Sequence, residues 1–119
     1  VREVAEFLED KGKTVLYGPD QDYRNKRSVV SKFFNKPCLT TTVPFNLQKI
    51  TGCKLIYLDF YATENGYKFI LRDVSEITQS KQEFADRINE IIEKSINLAP
   101  EHYLWHHRRF KSQAPEIYD

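Results

Sequence analysis

The side chains best suited to chemistry lie in a short acidic segment that runs into a basic one. Asp20 and Asp22 follow a Gly-Pro pair, and three cations come directly after them: Arg24, Lys26 and Arg27. Acids that face a cluster of bases fit the rim of a site for an anionic ligand, since Lys and Arg suit phosphate groups. They also fit a Pro-Asp turn whose charges are solvated. Both interpretations stay open on these residues alone.

A second candidate, the segment 100–111, interleaves aromatic rings with cations and contains the three histidines of the chain. Such a segment can bind nucleic acid or another polyanion, because cations neutralise phosphates while rings stack. The residue types favour a structural role instead, with Arg108 and Arg109 bonding backbone or carboxylates beside packed apolar residues. The residues expected to pack are Tyr103, Leu104 and Trp105. A metal site is not expected, because the adjacent His106 and His107 project in different directions and no carboxylate has a useful spacing.

The position of the acidic segment depends on the element before it. The apolar run at 13–17 predicts a buried strand that ends at Gly18-Pro19. Asp20 then lies just past the carboxyl end of a strand, where open α/β sheets bind their ligands. The stretch from 18 to about 38 is predicted to be a long loop, part of which packs against the core. The apolar residues available for that packing are Val29, Val30, Phe33 and Phe34.

Three helices are predicted from periodicity and capping signals. An amphipathic pattern predicts the first over residues 1–8. The second is predicted over 40–51, where Pro44 is tolerated because it falls in the first turn. A capping box formed by Ser80 and Glu83 opens the third and longest helix.

The strongest strand pattern covers 53–61, which is nearly continuous in apolar residues, as in strands covered on both faces. Asn65-Gly66 predicts a hairpin turn that leads to an antiparallel strand over 67–72. Strands 13–17 and 53–61 are expected to run parallel. The sequence therefore predicts an α/β fold, with a mixed sheet and helices packed on it.

Length and composition narrow the class of protein. The 119 residues, 40% of them hydrophobic, predict a single domain over residues 1–119. A formal net charge of +1 argues against a general polyanion binder. Cys38 and Cys53 lack metal-ligand spacing and are expected to be two buried, reduced thiols. No run approaches the ~18 apolar residues of a membrane span, and no signal peptide is present. The chain begins without Met inside a helical pattern, which predicts a piece of a longer protein.

Three motifs together resemble the bacterial lipid A biosynthesis lauroyl/myristoyl acyltransferase family. Residues 100–111, PEHYLWHHRRFK, are similar to the family's C-terminal signature. Residues 18–23, GPDQDY, resemble its Pro-Asp-x-Asp-Tyr motif, and residues 33–42, FFNKPCLTTT, resemble the segment after it. His102 and His106 stand where the family usually has Gln and an aliphatic residue, so the histidine cluster is interpreted as incidental.

The resemblance implies transfer of a fatty acyl chain from acyl carrier protein to a hydroxyl of a lipid A precursor, in lipopolysaccharide biosynthesis at the cytoplasmic face of the bacterial inner membrane. It implies the C-terminal portion of a fold similar to that of glycerol-3-phosphate acyltransferase, attached to the membrane through upstream segments. No cofactor, metal or nucleic acid is expected. The family's catalytic His, followed after four residues by an acid, has no match among the three histidines. The chain by itself is therefore expected to be inactive.

The same resemblance implies roles for individual residues. Asp20 matches the acid of the family motif, and is expected to support catalysis by orienting a cationic partner or the acceptor sugar beside the missing His. Asp22 and Tyr23 share that motif and are expected to shape the substrate loop. Three cations are candidate contacts for the acceptor's phosphates, with solvated loop charge as the open alternative: Arg24, Lys26 and Arg27.

Two other functions compete with acyl transfer. The first is a small anion- or nucleic-acid-binding α/β module that uses residues 100–111, whose binding would weaken steeply with salt. The second is another α/β transferase on the same scaffold, because a fold does not dictate a function.

Overall fold

The computed structural model describes residues 1–76 and 79–119, which contain helices and strands in alternation. The elements in chain order are α1 (Arg2–Glu9), β1 (Ser28–Phe33), β2 (Lys36–Thr41), α2 (Val43–Thr51), β3 (Ile56–Thr63), β4 (Gly66–Asp73) and α3 (Lys81–Leu98). Short 3-10 turns at Pro100–His102 and Pro115–Tyr118 follow α3. The predicted mixture of α and β structure is confirmed. None of the described helices is both long and apolar enough to cross a membrane.

The described strands form two separate antiparallel hairpins, β1–β2 and β3–β4, and the prediction of one mixed sheet is therefore wrong. The predicted strand over 13–17 is not formed, and neither is its parallel pairing with 53–61. The physical reason is the lack of a partner: Leu16 is 88% exposed. Tyr17 is held through a hydrogen bond of 3.0 Å between its hydroxyl and Thr41 Oγ1.

The β1–β2 hairpin occupies the second half of the stretch that was predicted to be a loop. Phe33 pairs with Lys36, which leaves Phe34 and Asn35 as a two-residue turn. Their φ angles are +47° and +60°, the left-handed conformation that such turns need at both positions. Asn adopts this conformation readily, whereas Phe does so rarely. Without a glycine, the sequence carries a weak turn signal, and the loop prediction is wrong here.

The β3–β4 hairpin confirms the prediction from Asn65-Gly66, because Thr63 pairs with Gly66 across the turn. Gly66 has a φ of +143°, which glycine adopts without strain. The predicted cover on both faces is wrong for the described residues. Side chains on one face remain 41–69% exposed: Ile56, Leu58, Phe60, Tyr67, Phe69 and Leu71.

The main core lies between α3 and the β1–β2 hairpin. Its buried members are Phe33, Cys38, Phe45, Phe84, Ile88, Ile92 and Ile96. The predicted capping box opens α3: Ser80 Oγ accepts from the Glu83 N–H (3.1 Å) and Glu83 Oε2 accepts from the Gln79 N–H (3.0 Å). This pair of bonds stabilises the start of the helix that carries the core. Cys38 and Cys53 are free thiols, as predicted, but only Cys38 is buried, and the expected burial of Cys53 is wrong.

A smaller cluster joins α1 to α2 through Ala5, Val43 and Leu47. Pro44 lies in the first turn of α2, and Gly52 ends the helix with φ +68° and donates its N–H to Gln48 O. Proline at the start and left-handed glycine at the end are the expected pair of signals. The prediction of α2 is confirmed, with a start three residues later than expected.

Candidate functional site

Asp20 lies on an open cavity of about 240 Å³. The loop that follows residue 17 forms one wall, β3 a second, and the C-terminal half of α3 a third. The residues around the cavity include Pro19, Tyr57, Asp59, Tyr61, Ser95, His102 and Tyr103. Asp20 is half-buried, and within the described part of the chain it has no ion pair or hydrogen bond. Its carboxylate is therefore available to a ligand or to another part of a larger protein.

A second carboxylate, that of Asp59, lies on the same cavity and is 3% exposed. It is paired with the Arg72 guanidinium from β4. A buried charge of this kind is tolerated because its partner neutralises it. Asp59 was not among the residues predicted from the sequence, although a lone acid inside an apolar strand was a usable signal. The cavity thus holds one neutralised carboxylate and, in Asp20, one without a described counter-charge.

Two phenol groups point to a polar occupant of the cavity. The hydroxyls of Tyr61 and Tyr103 are buried and have no hydrogen-bond partner among the described residues. Burial raises the pKa of Tyr103, and the nearby Asp20 charge raises it further. The Asp20 carboxylate lies near enough to act on the Tyr103 hydroxyl, but no hydrogen bond of normal geometry joins them. Because its pKa is raised, Tyr103 stays protonated and can donate a hydrogen bond to a ligand oxygen. Such a bond would remove the cost of an unpaired buried polar group, about 1–3 kcal/mol.

Asp22 joins the acidic loop to the end of the chain. It is 7% exposed; its Oδ2 accepts from the Ser112 N–H (3.0 Å) and its Oδ1 from the Ser112 hydroxyl (2.9 Å). Its own N–H donates to His107 Nε2 at 3.1 Å, and Arg24 Nε donates to Ser112 Oγ at 2.8 Å. These bonds hold the loop in place, and through it Asp20. Asp22 and Arg24 are thus occupied by the protein itself.

The other predicted substrate residues lie apart from the Asp20 cavity. The Tyr23 ring packs on Tyr17 with 6.0 Å between centroids, and burial, followed by the charges of Tyr17 and Asp20, raises the pKa of Tyr23. Lys26 and Arg27 are exposed, and Arg27 contributes its carbonyl oxygen to the Thr42 N–H and hydroxyl. The structure therefore brings Asp20 alone, of the six predicted residues, into the cavity.

Arg109 confirms the structural interpretation of the basic-aromatic segment. It is 2% exposed, and its guanidinium donates to Leu39 O and, at 3.0 Å, to Thr40 Oγ1. Arg108 stays exposed and lies 5.5 Å from the Tyr118 ring centroid. The expected packing is only partly confirmed: Tyr103 lies against the core, but two residues are largely exposed, Leu104 at 64% and Trp105 at 57%.

Acid is expected to weaken the contact between the loop and the tail, because His107 Nε2 must be unprotonated to accept the hydrogen bond from the Asp22 N–H. Burial, and then the charge of Lys111, lowers the pKa of His107 below its ordinary value of 6.5. The unfolded chain therefore binds a proton more readily than the folded chain. The stabilisation is complete above about pH 6.5 and is lost as the pH falls below that value.

The urea midpoint, measured between pH 7.5 and 5.5, checks this expectation. The wild-type midpoint should fall on acidification, and His107→Gln should flatten that dependence. His106→Gln is the matched control, since His106 is exposed and should leave the pH dependence unchanged. An equal pH dependence in wild type and His107→Gln would contradict the role of His107.

Comparison with known proteins places these features in a family. The family described as bacterial lipid A biosynthesis acyltransferase matches residues 3–112. The chain is 36% identical over 107 residues to lipid A biosynthesis palmitoleoyltransferase of Escherichia coli (strain K12), which is 87% of this chain and 35% of that protein.

Two further relatives agree with this match. Lipid A biosynthesis lauroyltransferase of the same organism is 34% identical over 112 residues, covering 90% of this chain and 37% of its own length. Lipid A biosynthesis acyltransferase of Haemophilus influenzae is 34% identical over 118 residues, covering 89% and 37%. The chain spans about a third of the length of the curated relatives it matches.

Proposed function

The chain belongs to the bacterial lipid A biosynthesis acyltransferase family, and we propose that the complete protein transfers a fatty acyl chain from acyl carrier protein to a hydroxyl of a lipid A precursor. The observation that supports this most is the setting of Asp20. The acid of the family motif lies on a cavity without a described charge partner, beside a phenol that stays protonated. That combination suits a hydroxylated acceptor.

The chemistry needs a base that these residues do not supply. A histidine outside this chain, followed after four residues by an acid, removes the proton from the acceptor hydroxyl. The hydroxyl oxygen then forms an ester bond to the acyl carbonyl carbon, and the carrier's thiol leaves with a proton. Asp20 orients the imidazole or the acceptor sugar, and Tyr103 donates to an acceptor oxygen. The exchange is complete without an oxidant or a cofactor.

The acceptor's phosphates have candidate partners in the basic loop. Lys26 and Arg27 are exposed and have no side-chain ion pair in residues 1–76 or 79–119, so they are free to meet a phosphate. Arg24 is held by Ser112 and keeps part of its guanidinium for a ligand. Solvated charge remains the competing role for all three. Substrate contact by Asp22 and Tyr23 is indirect in this proposal, through the shape of the loop.

The fold and the location proposed for the complete protein follow from the same family membership. Residues 1–119 form the C-terminal portion of a fold like that of glycerol-3-phosphate acyltransferase, and other segments attach it to the cytoplasmic face of the inner membrane. The chain alone is inactive for want of the base. The rival anion- or nucleic-acid-binding module is not favoured, because Arg109 of its basic-aromatic segment is buried in the fold.

An acyl-transfer assay tests the proposed function. The complete protein is mixed with acyl carrier protein that carries a radiolabelled acyl chain and with a phosphorylated lipid A precursor. We expect label to appear in the lipid with the complete protein and not with residues 1–119 alone. A complete, folded protein that transfers no acyl chain from any carrier-bound donor would contradict the proposal. Salt-sensitive binding of nucleic acid by the isolated chain would favour the rival module.

A further inference from the structure

Residues 14–17 carry strand-forming side chains but have no strand partner in residues 1–76 or 79–119. Within the described ranges, their N–H and C=O groups make no backbone hydrogen bond. Val15 is 36% exposed and Leu16 88%, although both residue types favour buried positions. β3 lies on the other side of a gap and pairs only with β4, so one of its edges is also open. Two open rows of backbone donors and acceptors therefore face the same gap.

The gap between residues 14–17 and 54–58 is a groove with mainly apolar walls. It contains two adjoining cavities, of about 240 and 260 Å³. The residues that line both cavities are Val15, Tyr17, Pro44, Lys54, Leu55 and Ile56. Phe84 and Ile88 of α3 add to the floor of one, and Leu47 of α2 to the other. Apolar walls with open backbone edges are the features that receive an added strand.

The polar and apolar faces of the β3–β4 hairpin are also exchanged relative to those of a sheet in an isolated domain. The face toward α3 is polar and holds the Asp59–Arg72 ion pair. The outward face is apolar, with Phe60 and Phe69 50% and 62% exposed. A sheet that borders solvent normally shows the opposite pattern. The hairpin is therefore patterned as an interior part of a larger sheet.

We propose that this groove receives an extended strand from the part of the family polypeptide that lies outside these 119 residues. The matched relatives are almost three times longer than the match, which covers 35–37% of them, so polypeptide is at hand to fill the groove. The strand pairs with residues 14–17 on one side and with β3 on the other. The proposal rests on family membership and not on the acyl-transfer chemistry.

Two other occupants fit the groove less well. Hydrocarbon of a lipid would cover the apolar walls but would leave the backbone donors and acceptors unsatisfied. A second copy of the chain would have to offer a strand with two open edges, because the inserted strand is paired on both sides. Strands β1–β4 each have one edge already paired, and the unpaired residues 14–17 of a second copy already form one wall of that copy's own groove. A lone strand from elsewhere in the polypeptide meets both requirements.

Hydrogen exchange tests the inserted strand. The amides of Val15, Leu16 and Tyr17 are followed by mass spectrometry in residues 1–119 alone and in the complete protein. We expect them to exchange at nearly the unfolded rate in the chain alone, and at least about 100-fold more slowly in the complete protein. Equal rates in the two forms would overturn the proposal.

Variants of the groove, and tests for other occupants, distinguish an inserted strand from a second copy or a lipid. In the complete protein, Leu16→Asp is expected to lower the melting temperature, whereas Leu104→Asp, another exposed leucine outside the groove, should not. Neither should change the stability of residues 1–119 alone. If the chain alone forms a dimer that protects residues 15–17, or gains that protection on phosphatidylethanolamine and phosphatidylglycerol vesicles, the strand proposal is overturned in favour of a second copy or lipid. Loss of acyl transfer with protection retained would count against the proposed function only.

Discussion

Asp20→Asn in the complete protein is expected to reduce acyl transfer by about 100-fold to 10,000-fold, the range that positioned acid–base groups contribute. The substitution keeps the size of the side chain and removes its charge. Asp20 has no hydrogen bond or ion pair to lose among the described residues, so folding should be unaffected. The expected loss is in kcat, because a residue that orients the base or the acceptor acts mainly in the transition state. Steady-state transfer from acyl carrier protein measures it.

The control for Asp20→Asn is Glu64→Gln, a charge removal at the exposed turn between β3 and β4. It should retain wild-type turnover. Equal urea midpoints for wild type and Asp20→Asn would separate a chemical effect from a folding defect. Wild-type kcat in Asp20→Asn would rule out the role given to Asp20. Tyr103→Phe offers a milder second probe, since it removes one donor to the acceptor and keeps the ring in the core.

The parts of the fold that local signals define were predictable. The β3–β4 hairpin follows from Asn65-Gly66, the start of α3 from Ser80 with Glu83 three residues later, and the end of α2 from Gly52. Each signal acts within a few residues, so no knowledge of tertiary partners is needed.

The errors arose where the outcome depended on a partner. The pattern at 13–17 is that of a strand, but a strand needs a neighbour, and none lies beside it in the described chain. The β1–β2 hairpin was missed because Phe34 gives no sign of the left-handed conformation that the turn requires of it. Local propensity indicates which secondary structure a segment favours, but it does not indicate whether a neighbouring strand is present to pair with it.

The residues of the candidate site also divide into those that a local sequence signal predicts and those whose role depends on a distant partner. Asp20 was predictable because its motif marks it, and the structure places it on a cavity. The anchoring of Asp22 by Ser112 was not, since the two residues are 90 positions apart and a carboxylate near cations suggests a ligand as readily as a backbone contact. Asp59 was hidden in an apolar strand, and its partner Arg72 lies on the next one.

Arg109→Met is expected to destabilise the chain by about 2–4 kcal/mol. The guanidinium is 2% exposed and donates to Leu39 O, to Thr40 Oγ1 and weakly to Asn89 Oδ1 at 3.4 Å. Methionine has a similar length but no donor, so Leu39 O and Asn89 Oδ1 would each lose a donor, at about 1–3 kcal/mol for a group left unpaired, whereas Thr40 Oγ1 would keep the bond from Asn89 Nδ2 at 2.8 Å. Relief of one desolvated charge offsets part of this loss.

The matched control for Arg109→Met is its exposed neighbour, because Arg108→Met removes the same charge and should cost less than about 1 kcal/mol, the value of an exposed cation–π contact. Urea unfolding of both variants provides the comparison, with the slope checked to be unchanged so that the midpoints report stability. Equal midpoints would show that the hydrogen bonds of Arg109 make no net contribution to the free energy of unfolding. The free energy needed to desolvate the buried cation would then equal the free energy gained from those bonds. A large loss confined to Arg109→Met would instead identify the second arginine of the C-terminal segment as a core residue. The segment's basic character would then belong to the fold, and the catalytic hypothesis would rest on Asp20 and Tyr103, which line the cavity, and not on the arginines.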